Sequence, residues 1–383
     1  METASIAAVV VFCGFILYVL FLYPLILGVL AKRHARPIHR AAFHPSVSMI
    51  VAVRDGERFL REKLESILAL DYPRHLMEII VVSDGSTDRT DEIAASFSGE
   101  GVRLMRVPAG GKSAALNAGI AATSNEILVL TDVRQKLAAD SLALLMRNFA
   151  DPEVGAASAE LVIQKGATEA EVQTGLYWKY EFAIRVKLSA IDSIFGATGA
   201  YYGLRRELAV PIPREVLLDD MYLPLAAFFR GYRLVVDPCA RMFDHPTGLK
   251  SEFRRKVRTL AGNYQIIRWY PGILTHRNRM LFHFVSYKLA RLVLPFAMLG
   301  VLVATFGLPG KWVDIMTAAQ LFFYGLALAD PVVPEGRMKK LTSPVATFVT
   351  LMAAAMCALS VFVVPSAKLW NPTRVPSGQT EPE

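Results

Sequence analysis

Apolar residues along this chain follow two patterns. The first is a long uninterrupted run. Ile6 to Leu30 contains no charged residue and exceeds the ~20 residues a helix needs to cross a bilayer core. Leu292 to Leu308 and Val345 to Val364 repeat it, while Trp312 to Ala329 is a weaker version interrupted by Asp314 and Gln320. The second pattern lies between the first two runs, where short apolar blocks alternate with polar turns. "SVSMIVAVRD" (Ser46 to Asp55) predicts a buried strand, and Arg58 to Leu70 has the 3.6-residue apolar spacing of a helix. Met77 to Asp88 predicts a second strand ending in turn residues, Thr90 to Phe97 a short helix and Val102 to Val107 a third strand. Lys112 to Ala122 is helical in pattern and Glu126 to Asp132 is a fourth strand. Strands and helices in strict alternation predict an α/β unit with a parallel sheet covered on both faces.

In such sheets ligands gather at the C-terminal ends of the strands. Asp55, Asp84 and Asp132 each close a strand. Singly, each has a plain explanation, since Asp84-Gly85 is a common turn pair and Asp132 could cap a helix. Three carboxylates converging on one crevice suit a ligand that brings hydroxyls, an imide N–H or a divalent cation. "GGKS" (Gly110 to Ser113) is not a phosphate-binding P-loop, because Arg106 stands where a glycine is required. Lys112 at a helix start still attracts a diphosphate by charge and by the helix N-terminus; solvation at the surface is the alternative.

Composition strengthens the membrane reading. The chain has 383 residues, 53% of them hydrophobic, with mean hydropathy +0.36, high for a soluble protein. The N-terminal run is too long for a signal peptide, lacks a basic lead and ends in "KRHAR" without a small-residue cleavage site. The net charge of +8 is concentrated in part between Arg254 and Arg291, where it would face anionic headgroups. Nucleic acid is not an expected partner, because no binding motif accompanies the basic residues. Cys13, Cys239 and Cys357 give neither metal spacing nor a disulfide framework and read as packing residues. The scattered histidines exclude a zinc pattern. The expected organisation is a transmembrane helix over 1–31, a catalytic α/β domain over 46–250, an interfacial amphipathic segment over 251–291, about three transmembrane helices over 292–365 and a polar tail over 366–383.

"VSDGSTD", "GGKSAALNAG", "LTDVR", "IFGATGAYYGLRREL" and "LLDDM" together resemble an inverting family 2 glycosyltransferase of GT-A fold. The similarity is to the membrane-embedded branch that includes hyaluronan, chitin, cellulose and poly-N-acetylglucosamine synthases, and it runs from about Val47 to Trp269. The resemblance implies elongation of a polysaccharide from a UDP-sugar donor at the cytoplasmic face of a bacterial inner membrane. Asp220 matches the catalytic base and Asp219 its neighbour. Asp55, Glu57, Asp84, Lys112, Asp132, Arg255 and Arg258 fall at donor-binding positions, with Asp84 near the uracil. Asp132 matches the metal strand for Mg2+ or Mn2+. Ile194 to Leu208 resembles the segment that contacts the acceptor sugar. Expected partners are the donor, a glycan or lipid-linked acceptor and the bilayer, with room for homo-oligomers or export partners.

The chemistry asks for these residue types. Inversion needs a carboxylate to take the acceptor hydroxyl proton while the nucleoside diphosphate leaves from the opposite face. The leaving group needs positive charge already in place. Adjacent aspartates raise each other's proton affinity if both face the site; a simple helix N-terminus is the other explanation for the pair. One departure concerns the metal strand, where Arg134 stands in place of the usual second carboxylate. Either Asp132 shares a cation with the diphosphate, or Arg134 takes over part of the cation's role. A second ambiguity concerns the arginine. "QIIRW" (Gln265 to Trp269) carries the family's literal Gln-x-x-Arg-Trp, but the family spacing from the base favours Arg258 in "RKVRT", with Arg255 for the Gln and Thr259 for the Trp. Trp269 and Tyr270 would then anchor at headgroup depth. Two rival functions stand beside elongation: transfer of one sugar to a lipid carrier or headgroup, and a catalytically silent membrane scaffold, which the intact base pair opposes.

Basic clusters at Lys32 to Arg36, Arg277 to Arg291 and Arg337 to Lys340 share one side only with four spans. A reporter inserted near Glu335 should therefore read cytoplasmic and one fused after Glu383 periplasmic. A cytoplasmic C-terminus would remove one span.

Overall fold

The chain is described here by a computed structural model covering residues 2–164, 169–245 and 249–369. Among these residues eight strands form one sheet: β1 Val47–Val53, β2 Met77–Asp84, β3 Val102–Val107, β4 Ile127–Thr131, β5 Lys136–Leu137, β6 Val154–Ile163, β7 Tyr201–Arg205 and β8 Arg233–Asp244. Their order is β3-β2-β1-β4-β7-β6-β8-β5. The first four strands are parallel, as their pattern predicts. The expectation of a wholly parallel sheet fails beyond β4: β7 runs antiparallel to both neighbours, and β5 is antiparallel to β8. The half after Asp132 lacks a regular strand–helix alternation, so its direction was not encoded in the pattern that predicted the first half.

Period-two alternation divides the core. Ile50, Ile80, Val82, Leu128 and Leu130 point into one cluster, while Met49, Val51, Ile79, Val81 and Val129 point into the other. Helix α1 (Glu57–Leu68) covers the second face through Leu60, Leu64 and Ile67. Helices α2 (Thr90–Ser96) and α3 (Lys112–Ala121) follow β2 and β3. The first face receives three later helices, α4 (Glu169–Ile191), α5 (Asp219–Phe229) and α6 (Leu249–Trp269), through Ile184, Met221 and Ile266.

Among the described residues, four helices are long and apolar enough to cross a membrane: Glu2–Arg33, Leu281–Thr305, Lys311–Val332 and Lys339–Phe362. Their outward apolar side chains, among them Val10, Leu25, Leu321 and Leu328, are exposed, which favours lipid over water as their surroundings. The first two helices pack closely, with Gly300 so near Phe12 that an added Cβ would lie 2.5 Å from its ring. Between them Tyr18 meets Ser286 at 2.6 Å and Tyr23 meets His283 at 3.2 Å, satisfying polar groups that lipid could not.

Trp269 and Tyr270, expected at headgroup depth, also pack on the protein: Trp269 lies edge-on to Tyr222, while Tyr270 stacks on Phe229 at 5.4 Å and donates to the Tyr222 carbonyl. Cys239 and Cys357 are exposed and pack no core. From residue 370 onward the expected polar tail lies outside the described residues.

Candidate active site

The site is built where β4 ends, where α3 begins and where α5 begins. The Lys112 ammonium, on the first residue of α3, lies 3.0 Å from Asp132 Oδ1 and 3.3 Å from Asp219 Oδ2. Asp219 and Asp220 form the first turn of α5, where the helix dipole favours negative charge. A helix N-terminus and a catalytic pair are therefore not competing explanations. Asp220 turns from its neighbour toward the loop before β7, where its Oδ2 accepts the Gly199 N–H at 2.9 Å and its carbonyl accepts the Ala197 N–H at 2.7 Å. A Cβ on Gly199 would stand 2.8 Å from that carboxylate, so the glycine permits the approach.

Burial, then repulsion from Asp219, raises the Asp220 carboxyl to about 6; Lys112 and Arg258 oppose the rise. The same carboxylates hold the Lys112 ammonium firmly protonated despite its desolvation. A carboxyl near neutrality beside a fixed cation is equipped to accept a proton at physiological pH.

The other expected donor-site residues organise neighbouring loops. Asp84 is buried and accepts the backbone N–H groups of Gly110 (2.7 Å) and Gly111 (3.0 Å), which fixes the entry to α3. Gly111 has φ +86°, a conformation suited to glycine. Asp55, with φ +49°, accepts both the N–H and the hydroxyl of Thr87. Glu57 accepts the Arg89 N–H and donates its own N–H to Asp88. In this state these residues hold "SDGSTD" against the β1 loop.

The arginines separate clearly. Helix α6 is continuous, and Gly262 allows it to press on the base loop: an added Cβ would meet Leu218 at 2.4 Å. Arg258 lies within electrostatic reach of Asp220, whereas Arg268 is exposed. Arg255 is not brought to the carboxylates; it pairs with Glu252 and sits over the Trp178 ring at 4.8 Å. Arg134 is also turned away, bound to Asp244 at 2.5 Å. That ion pair removes it as a substitute for a cation.

Sequence reasoning missed four participants. Gln265 of the literal motif grips the base loop, accepting the Leu217 N–H at 2.9 Å and donating to the Glu215 carbonyl. Lys63 is buried beneath β4 and donates to Thr131 Oγ1 at 2.7 Å and the Gln135 carbonyl at 2.9 Å. Desolvation there lowers it to about 7 against the pull of Asp132. Arg185 of α4 donates to Thr198 Oγ1, Ser158 Oγ and the Gly196 carbonyl, bracing the loop that holds Asp220. Tyr202 places a buried hydroxyl without a hydrogen-bond partner among the described residues, near all three carboxylates. Gln265 lies in the quoted motif and Tyr202 in the segment Ile194 to Leu208, whereas Lys63 and Arg185 carried no sequence signal.

Comparison with known proteins follows the same outline. Glycosyl transferase family 2 matches residues 48–210. The probable glycosyltransferase YdaM of Bacillus subtilis (strain 168) is 27% identical over 241 residues, covering 58% of this chain and 56% of its own length. A poly-beta-1,6-N-acetyl-D-glucosamine synthase of Staphylococcus aureus (strain COL) is 22% identical over 229 residues, covering 58% and 55%. The chain thus spans about half the length of these curated relatives. Among solved structures, the mannosyltransferase PcManGT from Pyrobaculum calidifontis, in complex with GDP-Man and Mn2+, has a TM-score of 0.71 at 24% identity over 94% of this chain and 98% of that one. The likeness is one of fold.

The position of Arg258 generates a direct comparison. Arg258→Ala should slow transfer on the order of a hundredfold, and Arg258→Lys should restore only part, because a point charge does not reproduce bidentate contact with phosphate oxygens. Arg268→Ala should stay within a few-fold when both are assayed at saturating donor. The reverse ranking would return the literal motif to the active site.

Proposed function

We propose that this chain, whose residues 48–210 form a glycosyltransferase family 2 domain, transfers a sugar with inversion from a nucleoside diphosphate donor, a UDP-sugar in the first instance, to a growing glycan at the cytoplasmic membrane surface. One observation carries the reading. A single ammonium joins the strand-end Asp132 to the α5 pair, leaving Asp220 turned toward the Gly199 loop with its proton affinity raised. The poly-N-acetylglucosamine synthase relative supports glycan elongation.

In the proposed reaction Asp220 takes the proton of an acceptor hydroxyl as that oxygen bonds to the anomeric carbon. The bond from that carbon to the diphosphate breaks on the opposite face, and the electron pair leaves with the nucleoside diphosphate. Lys112 and Arg258 supply positive charge beside the leaving group. The cradle for a divalent ion is Asp132 with Asp219, the two carboxylates that now share Lys112. Such a pair plus diphosphate oxygens meets the ligand needs of Mg2+, and Arg134 is already committed elsewhere. When bound, the ion would neutralise charge on the departing diphosphate. Lys63 keeps Thr131 and Gln135 in register beneath Asp132.

A second reading, in which one sugar is added to a lipid carrier or headgroup, has its own support. Thr198 and Arg185 belong to a cleft that Glu181 also lines. Glu181 is held by Tyr287 and Arg291 from the apolar helix Leu281–Thr305. The acceptor side is thus continuous with a candidate membrane span.

Purified full-length protein incubated with labelled UDP- and GDP-sugars should consume one donor, and Asp220→Asn should lower turnover ~10² to 10⁴-fold while nucleotide still binds. Near-normal turnover in that variant would remove Asp220 as the base, and no turnover of any donor by the parent would favour the scaffold.

The pH dependence has a fixed sign. The active form is the carboxylate, so kcat/KM should climb as pH rises through about 6 and level off above it. A carboxyl whose folded-state affinity is raised destabilises the charged fold, so the stability it contributes in acid is lost as pH rises through about 6. Asp220→Asn should accordingly unfold at a higher temperature than the parent at pH 8, with the gap closing toward pH 4. A flat activity profile, or a constant gap, would contradict the raised affinity.

A further inference from the structure

Lys63 lies on the sheet-facing side of α1, is 1% exposed and carries an ammonium into the core. Its hydrogen bonds go to two neutral oxygens, Thr131 Oγ1 and the Gln135 carbonyl. Among the described residues it forms no ion pair, and Asp132 acts on it by charge alone. Burying an ammonium on such partners is costly, and desolvation lowers its proton affinity accordingly. An apolar side chain beside Leu60, Leu64 and Ile67, which pack the same face, would avoid that cost. What the cation holds is therefore the question.

Its two acceptors flank Asp132 in the chain, so one ammonium clamps both ends of the segment that carries this carboxylate. The clamp reaches further. Because Thr131 Oγ1 accepts from Lys63, the hydroxyl proton points the other way, and it donates to the Ala200 carbonyl at 2.8 Å. A hydrogen bond from a cation polarises the hydroxyl and makes it a stronger donor in turn. The Asp132 N–H donates to the same Ala200 carbonyl at 3.2 Å. One residue earlier, the Gly199 N–H donates to Asp220 Oδ2 at 2.9 Å, and the Tyr201 N–H closes the turn on the Thr198 carbonyl at 3.0 Å. The short loop between them is thus tied to Asp220 at one peptide group and to the end of β4 at the next.

We propose that Lys63 is a positioning residue for the transfer reaction: through the Thr131 hydroxyl it fixes the Ala200 carbonyl, and so sets the base Asp220 relative to the donor-side carboxylate Asp132. The inference rests on the transfer reading above and adds to it a residue that touches no substrate. Its effect passes through geometry. Without the ammonium, the Thr131 hydroxyl loses the partner that orients it, the Gln135 end of the segment loses its donor, and both carboxylates keep their chemistry but not their spacing.

The test compares the full chain with Lys63→Met, Thr131→Val, Thr131→Ser and the double variant Lys63→Met/Thr131→Val. Deuterium exchange of a peptide spanning Gly196 to Gly203 should quicken about tenfold in Lys63→Met and Thr131→Val, and should keep the parent rate in Thr131→Ser, which retains the hydroxyl. With the labelled donor that the parent consumes, each of those two single variants should lower kcat about tenfold to a hundredfold, while the matching nucleoside diphosphate binds within about threefold of the parent. The double variant should fall no further than the lower single, because both changes break one chain. The kcat/KM profile should still rise through about 6 and only its plateau should drop, since Asp219, Lys112, Asp132 and Arg258 are the charges that act on Asp220. Losses that multiply in the double variant, a midpoint displaced by about one pH unit, or unchanged exchange in Lys63→Met would each overturn the proposal. If Lys63→Met does not fold, Thr131→Val against Thr131→Ser decides by the same exchange and kcat readings. A parent that turns over no donor would defeat the transfer reading alone, and the exchange comparison would still decide whether Lys63 holds the loop.

Discussion

One ammonium shared among carboxylates is the interaction on which the rest of this site depends. Lys112 reaches Asp132 from the sheet and Asp219 from α5, two elements far apart in sequence that would otherwise repel. Without the cation, repulsion among the three carboxylates would go unopposed at this point and the Asp220 carboxyl would be pushed higher still. With it, two carboxylates are engaged and the strain of charge falls on Asp220. The geometry also distinguishes two adjacent aspartates that are equivalent in composition. Asp219 faces the cation, and Asp220 faces the Gly199 loop.

Holding that ammonium in place recruits much of the surrounding fold. Asp84 binds the two glycine N–H groups that precede Lys112, so a carboxylate expected to meet a base also sets the start of α3. Lys63 ties the end of β4 from below, and the Arg134–Asp244 pair anchors the same loop to β8. Gln265 and the close Gly262–Leu218 contact fix the approach to α5 from the other side. These supports are polar or steric and lie within or beside the core, which keeps the reacting groups on rigid elements.

Legibility in the sequence divides at Asp132. Before it, β1 to β4 and the helices between them follow their apolar periodicity to within a residue or two, because β1, β2 and β4 are buried on both faces and the helices pack on the sheet by one. After it, the antiparallel β7 and the pairing of β5 with β8 are set by contacts distant in sequence, which no local pattern records. The site divides similarly. Strand-end aspartates and a lysine after paired glycines could be picked out, since their positions relative to the elements carry meaning. Arg185 and Lys63 could not: each sits inside a helix whose spacing gives no sign of which face meets the site. The Arg134 substitution was visible, but its reason was not, because Asp244 lies 110 residues away.

The α/β domain is also fastened to the apolar helices by ionic contacts. Asp192, at the end of α4, accepts Arg36 from the chain leaving the first helix and Arg279 from the chain entering the second. Arg233 of β8, almost fully buried, donates to the carbonyls of Arg36, Ser189 and Asp192. Breaking such a node would leave buried charges uncompensated, which is strongly destabilising. The position of Asp220 relative to the two helices thus rests on these contacts. Polar side chains from α4 and from the Leu281–Thr305 helix also meet directly, at the Glu181 carboxylate that Tyr287 and Arg291 hold.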